Sequence, residues 1–466
     1  MFRRTSANLS VYAILLAVAA LAIWFIRAAG MPLDAPPPTA GVAHFGRAGD
    51  LSASGATFHV LLALVAILAA SRVLGAAFAR LHQPQVMGEM LAGILIGPSL
   101  LGRVAPQFSA FLLPPEIAPA LGMIAQIGVV LFMFLVGLEF DTGGIRKRAQ
   151  AAFAISQASV IVPFVLGMAL ALYLYPRFST SDVPFFVFAL FIGISMSVTA
   201  FPVLARILMD RKLHKTRLGT IALTCASIGD ATAWCLLAIV VSVANPTAGG
   251  ALQTTVLTGA FSGGMLFVGR PLIRRWAATL PQGEPISHAS MGVVFIGLLA
   301  AAWTTEAIGI HALFGAFLIG VVIPDDSPLA RDLTLRLTDA VVVLFLPVFF
   351  AFTGLRMQIG LVSGLEAWLV CGLIILVATL GKFGGSYAAA RFVGLAPRDS
   401  AAIGVLMNTR GLMELIVLNL GLDMGVISAS LFAMFVLMAL LTTLATAPAL
   451  YLLYRGRRVE EEFAAP

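Results

Sequence analysis

Long, uncharged apolar stretches recur along almost the whole of this 466-residue chain, and they constrain its fold more than any other feature. A helix that crosses the hydrocarbon core of a membrane needs about 20 consecutive, mostly apolar residues. Apolar residues make up 60% of the sequence and charged residues 11%, whereas soluble proteins have about 25% charged residues. The same composition excludes the disordered, collagen-like and coiled-coil classes. The sequence therefore predicts an all-α integral membrane protein.

Fourteen stretches have the length and composition of a membrane-spanning helix. An extra segment stands first, and the thirteen that follow are numbered one to thirteen. We expect residues 1–56 to hold the extra helix and an external linker, residues 57–454 the transmembrane domain, and residues 455–466 a short cytoplasmic tail. The predicted spans are 9–28 for the extra helix, then 57–78, 85–103, 117–139, 151–175, 183–208, 215–243, 250–273, 287–303, 306–323, 337–356, 364–393, 398–421 and 426–454.

Basic residues alternate between the connecting loops, which predicts the orientation. The loops after segments one, three, five, seven, nine and eleven, and the tail, carry several basic residues each, whereas the other loops carry at most one, such as Arg103 or Arg177. Lys and Arg accumulate in cytoplasmic loops. The odd-numbered loops and the C-terminus are therefore predicted to be cytoplasmic. The net charge of +7 is then a signal of topology and not of nucleic-acid binding.

The first apolar run has two interpretations. Arg3 and Arg4, an apolar stretch and the small residues Ala28-Ala29-Gly30 resemble a secretory signal. The run is longer than the usual signal core of about 7–15 residues, however, and Arg27 stands close to the point where cleavage would occur. We therefore favour a retained helix.

The cysteines and histidines show no pattern typical of a metal site or an enzyme. Cys225, Cys235 and Cys371 all fall in apolar runs, and no Cys-X-X-Cys or Cys/His spacing occurs. Free cysteines commonly fill apolar cores, so neither a disulfide framework nor a zinc site is predicted. No nucleophile–base pair is evident among so few histidines. We expect no cofactor and no enzymatic activity.

Asp230 lies near the centre of segment six, in Thr224-Cys-Ala-Ser-Ile-Gly-Asp-Ala-Thr-Ala-Trp234. Charged residues inside a membrane span are costly and are functional hypotheses by default. A carboxyl group there is stable as the protonated acid or paired with a cation. One group that holds either a proton or a cation, but not both, is the minimum machinery for exchange. The alternative is a buried acid that is permanently bonded to a neighbouring helix.

Segment five contains a predicted helix break before Pro202. Proline has no amide donor, so the helical bond to Val198 is lost. Carbonyl groups freed at membrane depth are tolerated where they line a cavity. The carbonyls of Val198 to Ala200 and the hydroxyls of Ser197 and Thr199 are hard oxygen ligands suited to Na⁺ or K⁺. The alternative is a simple proline kink.

Segment twelve contains the second predicted break, within Met407-Asn-Thr-Arg-Gly-Leu-Met-Glu414. Arg410 and Glu414 are four residues apart, so they can pair on one helical face. Asn408 and Gly411 permit a local break. We favour a supporting role in which the charged pair neutralises the ends of a broken helix.

Lys382 lies in the middle of segment eleven, within Leu380-Gly-Lys-Phe-Gly-Gly385. A buried lysine requires an acidic partner or loses its proton. Lys382 could pair with Asp230 and be displaced by the cation, or it could form an ion pair that only holds two helices together.

The two predicted breaks are seven segments apart, and this spacing divides the chain into two halves. With segment seven as a linker, segments one to six and eight to thirteen have inverted orientations. Discontinuous helices at matching positions of two halves indicate the midplane site of a transporter. The sequence therefore predicts two inverted six-helix repeats, with discontinuous helices that cross beside Asp230 and compensate each other's dipoles.

With these motifs, the chain resembles the monovalent cation:proton antiporter superfamily. It is similar to the branch that contains Kef-type bacterial systems, NapA-type sodium/proton antiporters and plant cation/proton exchangers. The resemblance covers about residues 57–454. The motifs that carry it, in the order of the family, are Gln83–Glu89 with Gly97-Pro98, Leu131–Asp141, Ser197–Arg206, Gly229-Asp230, His311–Phe317, Gly381-Lys382 and Asn408–Leu415.

The resemblance implies a thirteen-helix core with a panel domain that dimerises and a six-helix domain that carries the ion in an elevator-type cycle. It assigns Asp230 as the residue that binds the monovalent cation and the proton. It further implies Thr199, Ala200 and Ser227 as ligands, and Lys382 as the basic residue of the family.

Two features depart from the family. Gly229 stands where relatives carry Asp, Asn or Gln, which leaves the ion and the stoichiometry open, and no Kef-type regulatory domain is recognisable. The motifs Ser197–Arg206 and Asn408–Leu415 look most like the plant exchangers, which favours K⁺ over Na⁺.

We expect a homodimeric, proton-coupled monovalent cation antiporter in a bacterial plasma membrane. A cation channel, or a transporter of an organic substrate on the same scaffold, is the alternative.

Overall fold

The chain is helical nearly throughout in a computed structural model. The structure describes residues 2–36, 53–81, 83–138, 145–210, 213, 216–244, 250–281, 285–324 and 327–454, and no β-strand occurs among them. The predicted tail, residues 455–466, and most of the predicted external linker lie outside the described residues. The predicted all-α fold is confirmed.

The first half of the chain contains helices α1 to α10. Helix α1 corresponds to the extra segment, and α2 to α10 correspond to segments one to six. Their bounds are α1 (Phe2–Gly30), α2 (Ala53–Arg80), α3 (Gln85–Ile96), α4 (Leu101–Val104), α5 (Pro106–Leu112), α6 (Ala118–Leu138), α7 (Ile145–Phe178), α8 (Phe185–Ser197), α9 (Phe201–Asp210) and α10 (Arg217–Ala244).

The second half contains helices α11 to α20, which correspond to segments seven to thirteen. Short π-helical turns interrupt two of these segments, at Met265–Gly269 and at Val341–Phe345. The helix bounds are α11 (Gly250–Gly264), α12 (Arg270–Ala278), α13 (His288–Ile308), α14 (Ala312–Val322), α15 (Pro328–Ala340), α16 (Leu346–Arg356), α17 (Gly364–Phe392), α18 (Pro397–Met407), α19 (Leu412–Asp423) and α20 (Ala429–Leu453).

Within the described ranges, 10 helical stretches are long and apolar enough to cross a membrane. The other predicted spans are the extra helix α1, the short apolar helix α14 and the two broken segments, α8–α9 and α18–α19. Each broken segment consists of two half-helices that are individually too short to span a bilayer of about 30 Å. Helices therefore occupy all fourteen of the predicted segments.

The break between segments eight and nine comes later than predicted. The predicted spans 287–303 and 306–323 place the break at Thr304 and Thr305, but α13 continues through both residues to Ile308. The hydroxyl groups of Thr304 and Thr305 donate to carbonyls one helical turn earlier, so these residues are satisfied inside the helix. The helix ends at Gly309, whose φ of 92° lies in the left-handed region that favours glycine.

Two groups of helices can be distinguished by their mutual contacts. The panel group consists of α2, α3, α6, α13, α14 and α16, and the core group consists of α7 to α10 and α17 to α20. Helix α1 packs on α7 and α8 of the core group, where the Arg27 guanidinium lies 5.0 Å from the ring centroid of Phe186. Segment seven, α11–α12, connects the two groups; most of its residues are exposed or half-buried, although Phe261, Ile273 and Trp276 pack on the hydrophobic core.

Glycine allows helix backbones to touch within both groups. In the panel group, a Cβ atom at Gly354 of α16 would lie 2.5 Å from the Met90 carbonyl oxygen of α3. In the core group, a Cβ atom at Gly385 of α17 would lie 2.9 Å from the Ala158 carbonyl oxygen of α7. Close approach of this kind is the usual basis of helix association in lipid. Gly259 and Gly264 of α11 instead face open space, as do some glycines of both groups.

Candidate functional site

Segment five is interrupted by three non-helical residues. Helix α8 ends at Ser197, residues 198–200 are non-helical, and α9 begins at Phe201. Pro202 is thus the second residue of α9. The first amides of a helix have no intrahelical acceptor, so proline is tolerated there without loss of a hydrogen bond. The three residues between the half-helices are buried.

Segment twelve is interrupted between Met407, where α18 ends, and Leu412, where α19 begins. The two interruptions cross and bond to each other. The Ala200 amide donates to the Thr409 carbonyl oxygen at 3.0 Å, and the Thr199 hydroxyl donates to the Met407 carbonyl oxygen at 3.2 Å. These bonds satisfy polar backbone that lipid could not solvate.

Gly411 lies at a close contact between the two broken segments. A Cβ atom at this residue would lie 2.7 Å from Val203 Cγ2 and 3.2 Å from the Ala200 Cβ. Its φ of 168° is extended backbone that any residue adopts. The glycine is therefore required for close approach of the two segments and not for its backbone conformation.

Two basic side chains lie at the C-terminal end of α8. Arg410 donates from Nη1 to the Ser195 carbonyl at 3.1 Å and from Nη2 to the Met196 carbonyl at 3.0 Å. The Lys382 ammonium donates to the Ser197 carbonyl. These are carbonyls that the end of a helix leaves without a helical partner, and a positive charge is favourable at this end of the dipole.

Lys382 is fully buried and has three acceptors. Besides Ser197, Nζ donates to the Ser159 carbonyl at 2.9 Å and to the Ser159 hydroxyl at 3.2 Å. An ammonium group has three N–H donors, so all three are used. Among the described residues, no ion pair within 4.0 Å joins Lys382 to Asp230. The pair that the sequence suggested is therefore not formed.

Arg410 and Glu414 form an ion pair with an Nη1–Oε2 distance of 3.2 Å, and both side chains are fully buried. Glu414 lies in the first turn of α19, at the positive end of that half-helix. The Thr443 hydroxyl of α20 accepts from the Arg410 amide at 2.9 Å and donates to the Arg410 carbonyl at 2.7 Å. The interrupted segment is thereby fixed to a continuous helix beside it.

Asp230 of α10 lies at the N-terminal end of α9 and is 3% exposed. Its Oδ2 atom accepts from the Phe201 amide at 3.3 Å, whereas Oδ1 is buried and has no hydrogen-bond partner. The N-terminus of a helix favours an anion. A carboxylate held by one oxygen keeps its other oxygen available for a proton or a cation.

The other predicted ligands lie on two elements. Val198, Thr199 and Ala200 form the interruption of segment five, which directly precedes the Phe201 amide that Asp230 binds. Ser227 is half-buried on α10, three residues before Asp230 and on the same helical face. In segment twelve, Asn408 is 8% exposed and its Oδ1 atom is buried without a partner.

Sequence reasoning missed two supporting residues. Ser159 binds Lys382 through two oxygens, and Thr443 holds both backbone groups of Arg410. Both are hydroxyl residues in apolar spans, where such residues commonly bond to their own helix. The sequence contains no signal that separates them from the other hydroxyl residues.

Residues 60–451 match the family model described as sodium/hydrogen exchanger, transmembrane. The chain belongs to this family. It is 41% identical over 404 residues to the Na(+)/H(+) antiporter NhaS4 of Synechocystis sp., a match that covers 85% of this chain and 97% of that protein. The motif-based resemblance to the monovalent cation:proton antiporters is thereby confirmed.

Two eukaryotic relatives match this chain over a similar share of its length. Cation/H(+) antiporter 19 of Arabidopsis thaliana is 37% identical over 86% of the chain, and K(+)/H(+) antiporter 1 of Saccharomyces cerevisiae is 34% identical over 81%. The matched regions cover 50% and 44% of those proteins. All three relatives are named as transporters and not as enzymes.

A solved structure confirms the fold of this family member. The sodium proton antiporter MjNhaP1 from Methanocaldococcus jannaschii superimposes with a TM-score of 0.59, and the match covers 85% of this chain and 98% of the other. The two sequences are 13% identical, so the likeness concerns the fold alone.

Replacing Arg410 with Met is expected to destabilise the protein by about 3–5 kcal/mol, because Glu414 would then be a buried charge without its partner. The change also removes the donors of the Ser195 and Met196 carbonyls. The measurement is the thermal unfolding midpoint in detergent, followed by size-exclusion chromatography. Arg274→Met, at an exposed position of α12, is the control and should unfold like the parent. Equal midpoints for the two variants would contradict the assigned role.

Proposed function

We propose that this protein exchanges a monovalent cation, Na⁺ or K⁺, for protons, and that Asp230 carries both ions in turn. The observation that carries the proposal is the half-satisfied carboxylate, with Oδ2 bonded to the Phe201 amide and Oδ1 buried without a partner. The names of the relatives support the same chemistry, since they include a Na⁺/H⁺ and a K⁺/H⁺ antiporter. They also leave both cations open.

Competition at one carboxylate couples the two fluxes in this proposal. A cation binds when Asp230 is ionised, with oxygens of Val198, Thr199, Ala200 and Ser227 as further ligands. Protonation of the carboxylate removes the charge that attracts the cation, so proton binding releases it. The empty, ionised site is the costly state, because a lone carboxylate is poorly solvated inside the membrane. Hence the site crosses the membrane only when Asp230 holds a proton or a cation.

We further propose that the core group moves past the panel group to expose Asp230 to each side in turn. Arg356 of the panel helix α16 donates to the Asn419 side chain of α19 at 3.0 Å and also pairs with Asp423. A cavity of about 60 Å³ lies at this boundary, lined by α6, α14, α16 and α19. On the topology predicted from the loop charges, this end is external.

The opposite end of the boundary is held by weaker contacts. Val86 of α3 packs on the buried side chains of Val203 and Ile207 of α9, and Gln83 Nε2 donates to the Leu444 carbonyl oxygen at 3.4 Å. Apolar and single hydrogen-bonded contacts of this kind can slide, which suits a moving group. We also propose that the C-terminus is cytoplasmic and that the protein lies in the bacterial plasma membrane. It would form a homodimer through the panel group, surrounded by lipid.

Asp230→Asn is expected to abolish cation-dependent proton movement, because the amide is close in shape but cannot exchange a proton for a cation. Proteoliposomes with an imposed pH gradient receive Na⁺, K⁺, Li⁺ or Rb⁺ separately, and internal pH is followed. The control is Asp339→Asn, the same chemical change at an exposed position of α15. Cation-dependent collapse of the gradient by Asp230→Asn would overturn the proposal. Cation flux through the parent without a coupled proton flux would favour a channel.

Exchange is expected to be one-for-one and electroneutral. The three donors of Lys382 already bind neutral oxygens, and Glu414 is paired with Arg410. Asp230 is then the group whose load changes, and one proton replaces one monovalent cation. A voltage-sensitive dye in the same proteoliposomes should report no potential during cation-driven proton flux. A sustained potential that depends on the exchanged cation would contradict the one-for-one ratio.

A covalent link between the panel and core groups should stop transport. The variant carries Arg356→Cys and Asn419→Cys in a background without the native cysteines, and a short bis-maleimide joins them. The control joins Ser99→Cys to Met357→Cys, because Ser99 Oγ donates to the Met357 carbonyl at 2.7 Å within the panel group. The control link should leave exchange intact. Full activity of the first linked variant would show that this boundary does not move.

A further inference from the structure

The contact between α7 and α10 of the core group includes several polar groups. Gln157 Nε2 donates to the Thr232 hydroxyl at 2.9 Å, and the Cys225 thiol donates to the Ala152 carbonyl at 3.4 Å. Ser156 lies on α7 in the same stretch of the contact and faces Gly229 of α10. The contact therefore brings a hydroxyl group next to the residue that precedes Asp230.

The Ser156 hydroxyl is fully buried and has no hydrogen-bond partner. Buried serines on the neighbouring helix behave differently, since Ser195 and Ser197 donate to carbonyls one turn back at 2.7 and 2.8 Å. The same bond is open to any helical serine, but Ser156 does not make it. An unpaired buried hydroxyl is costly, and such groups in native proteins usually bind a water or an ion. The Ser156 hydroxyl oxygen is therefore free to bind a water or an ion.

Gly229 leaves the space that this hydroxyl occupies. A Cβ atom at Gly229 would lie 3.3 Å from Ser156 Oγ, so the hydroxyl lies directly against the backbone of α10. The next residue is Asp230, whose Oδ1 is the second buried oxygen in this region without a partner. Two unsatisfied oxygens, one from α7 and one from α10, therefore lie beside the consecutive residues Gly229 and Asp230.

We propose that the Ser156 hydroxyl oxygen is a further ligand of the cation that Asp230 binds, and that it contributes to the choice between alkali cations. This inference rests on the function proposed above. A hydroxyl is a hard, neutral oxygen, so it coordinates Na⁺ or K⁺ without adding a second negative charge to the site. The number and strength of neutral oxygens around a cation are among the factors that set its selectivity.

Ser156→Ala tests the assignment. The variant should retain exchange at saturating cation, with the turnover rate changed less than about 2-fold, while the apparent KM for the preferred cation rises about 5-fold or more, as expected for loss of one oxygen contact. The ratio of KM values among Na⁺, K⁺, Li⁺ and Rb⁺ should change as well. Ser71→Ala is the matched control, because Ser71 is a buried serine of α2 whose hydroxyl also has no hydrogen-bond partner. That variant should keep the parent's KM values.

A second pair of variants separates a ligand from a packing role. Ser156→Cys keeps the shape of the side chain but replaces the hard oxygen with sulfur, so it should also raise KM. Ser156→Ala combined with Gly229→Ser returns a hydroxyl to the same contact from α10 and should restore a lower KM. Cation-dependent stabilisation in detergent, measured as a shift of the unfolding midpoint with added NaCl or KCl, reports binding without transport.

The outcomes distinguish this inference from the function on which it rests. If Ser156→Ala and Ser156→Cys keep the parent's KM values and ion ranking while Asp230→Asn is inactive, Ser156 is not a ligand, and the proposed function stands. If Asp230→Asn exchanges ions normally, the proposed function fails first. Raised KM values in both Ser156 variants, recovery in the double variant and no change in Ser71→Ala would establish the assignment.

Discussion

The guanidinium of Arg410 is the interaction on which the arrangement of the site depends. Two broken segments meet inside the membrane, where unpaired backbone groups cannot bind water. Arg410 donates to the last carbonyls of α8 and to Glu414 of α19, and its own backbone is held by Thr443 of α20. One residue therefore joins the half-helices α8 and α19 to each other and to the continuous helix α20. The cost of burying its charge is offset because every partner is polar and close.

The charged residues around the crossing have signs that match the dipoles of the half-helices. Lys382 and Arg410 lie at the negative end of α8, whereas Asp230 and Glu414 lie at the positive ends of α9 and α19. Three of these four residues have an ionic partner or a full set of acceptors. Asp230 alone among them is held by a single backbone amide. The preference of charges for helix ends thus fixes three of these residues in place. It leaves Asp230 as the group that can exchange a proton for a cation.

Much of this arrangement could be predicted from the sequence because membrane segments carry strong local signals. Apolar length located the spans, Pro202 and Gly411 located the interruptions, and the isolated carboxylate pointed to Asp230. The partner of Lys382 could not be predicted, since the choice between Asp230 and Ser159 depends on how α7, α8 and α17 pack. The break near Thr304 was misplaced because a hydroxyl that bonds to its own helix leaves no trace in the sequence.

The linker formed by α11 and α12 has a mechanical consequence. Gly259 and Gly264 face open space, so no neighbouring helix requires them to be small. Each glycine in a helix lowers its stability by about 1 kcal/mol relative to alanine, and a π-helical turn at Met265–Gly269 follows directly. Bending at Gly259 or Gly264 would therefore displace no side chain that packs directly on these glycines. These glycines give the connection between the two helix groups a lower bending stiffness than alanine would give at the same positions.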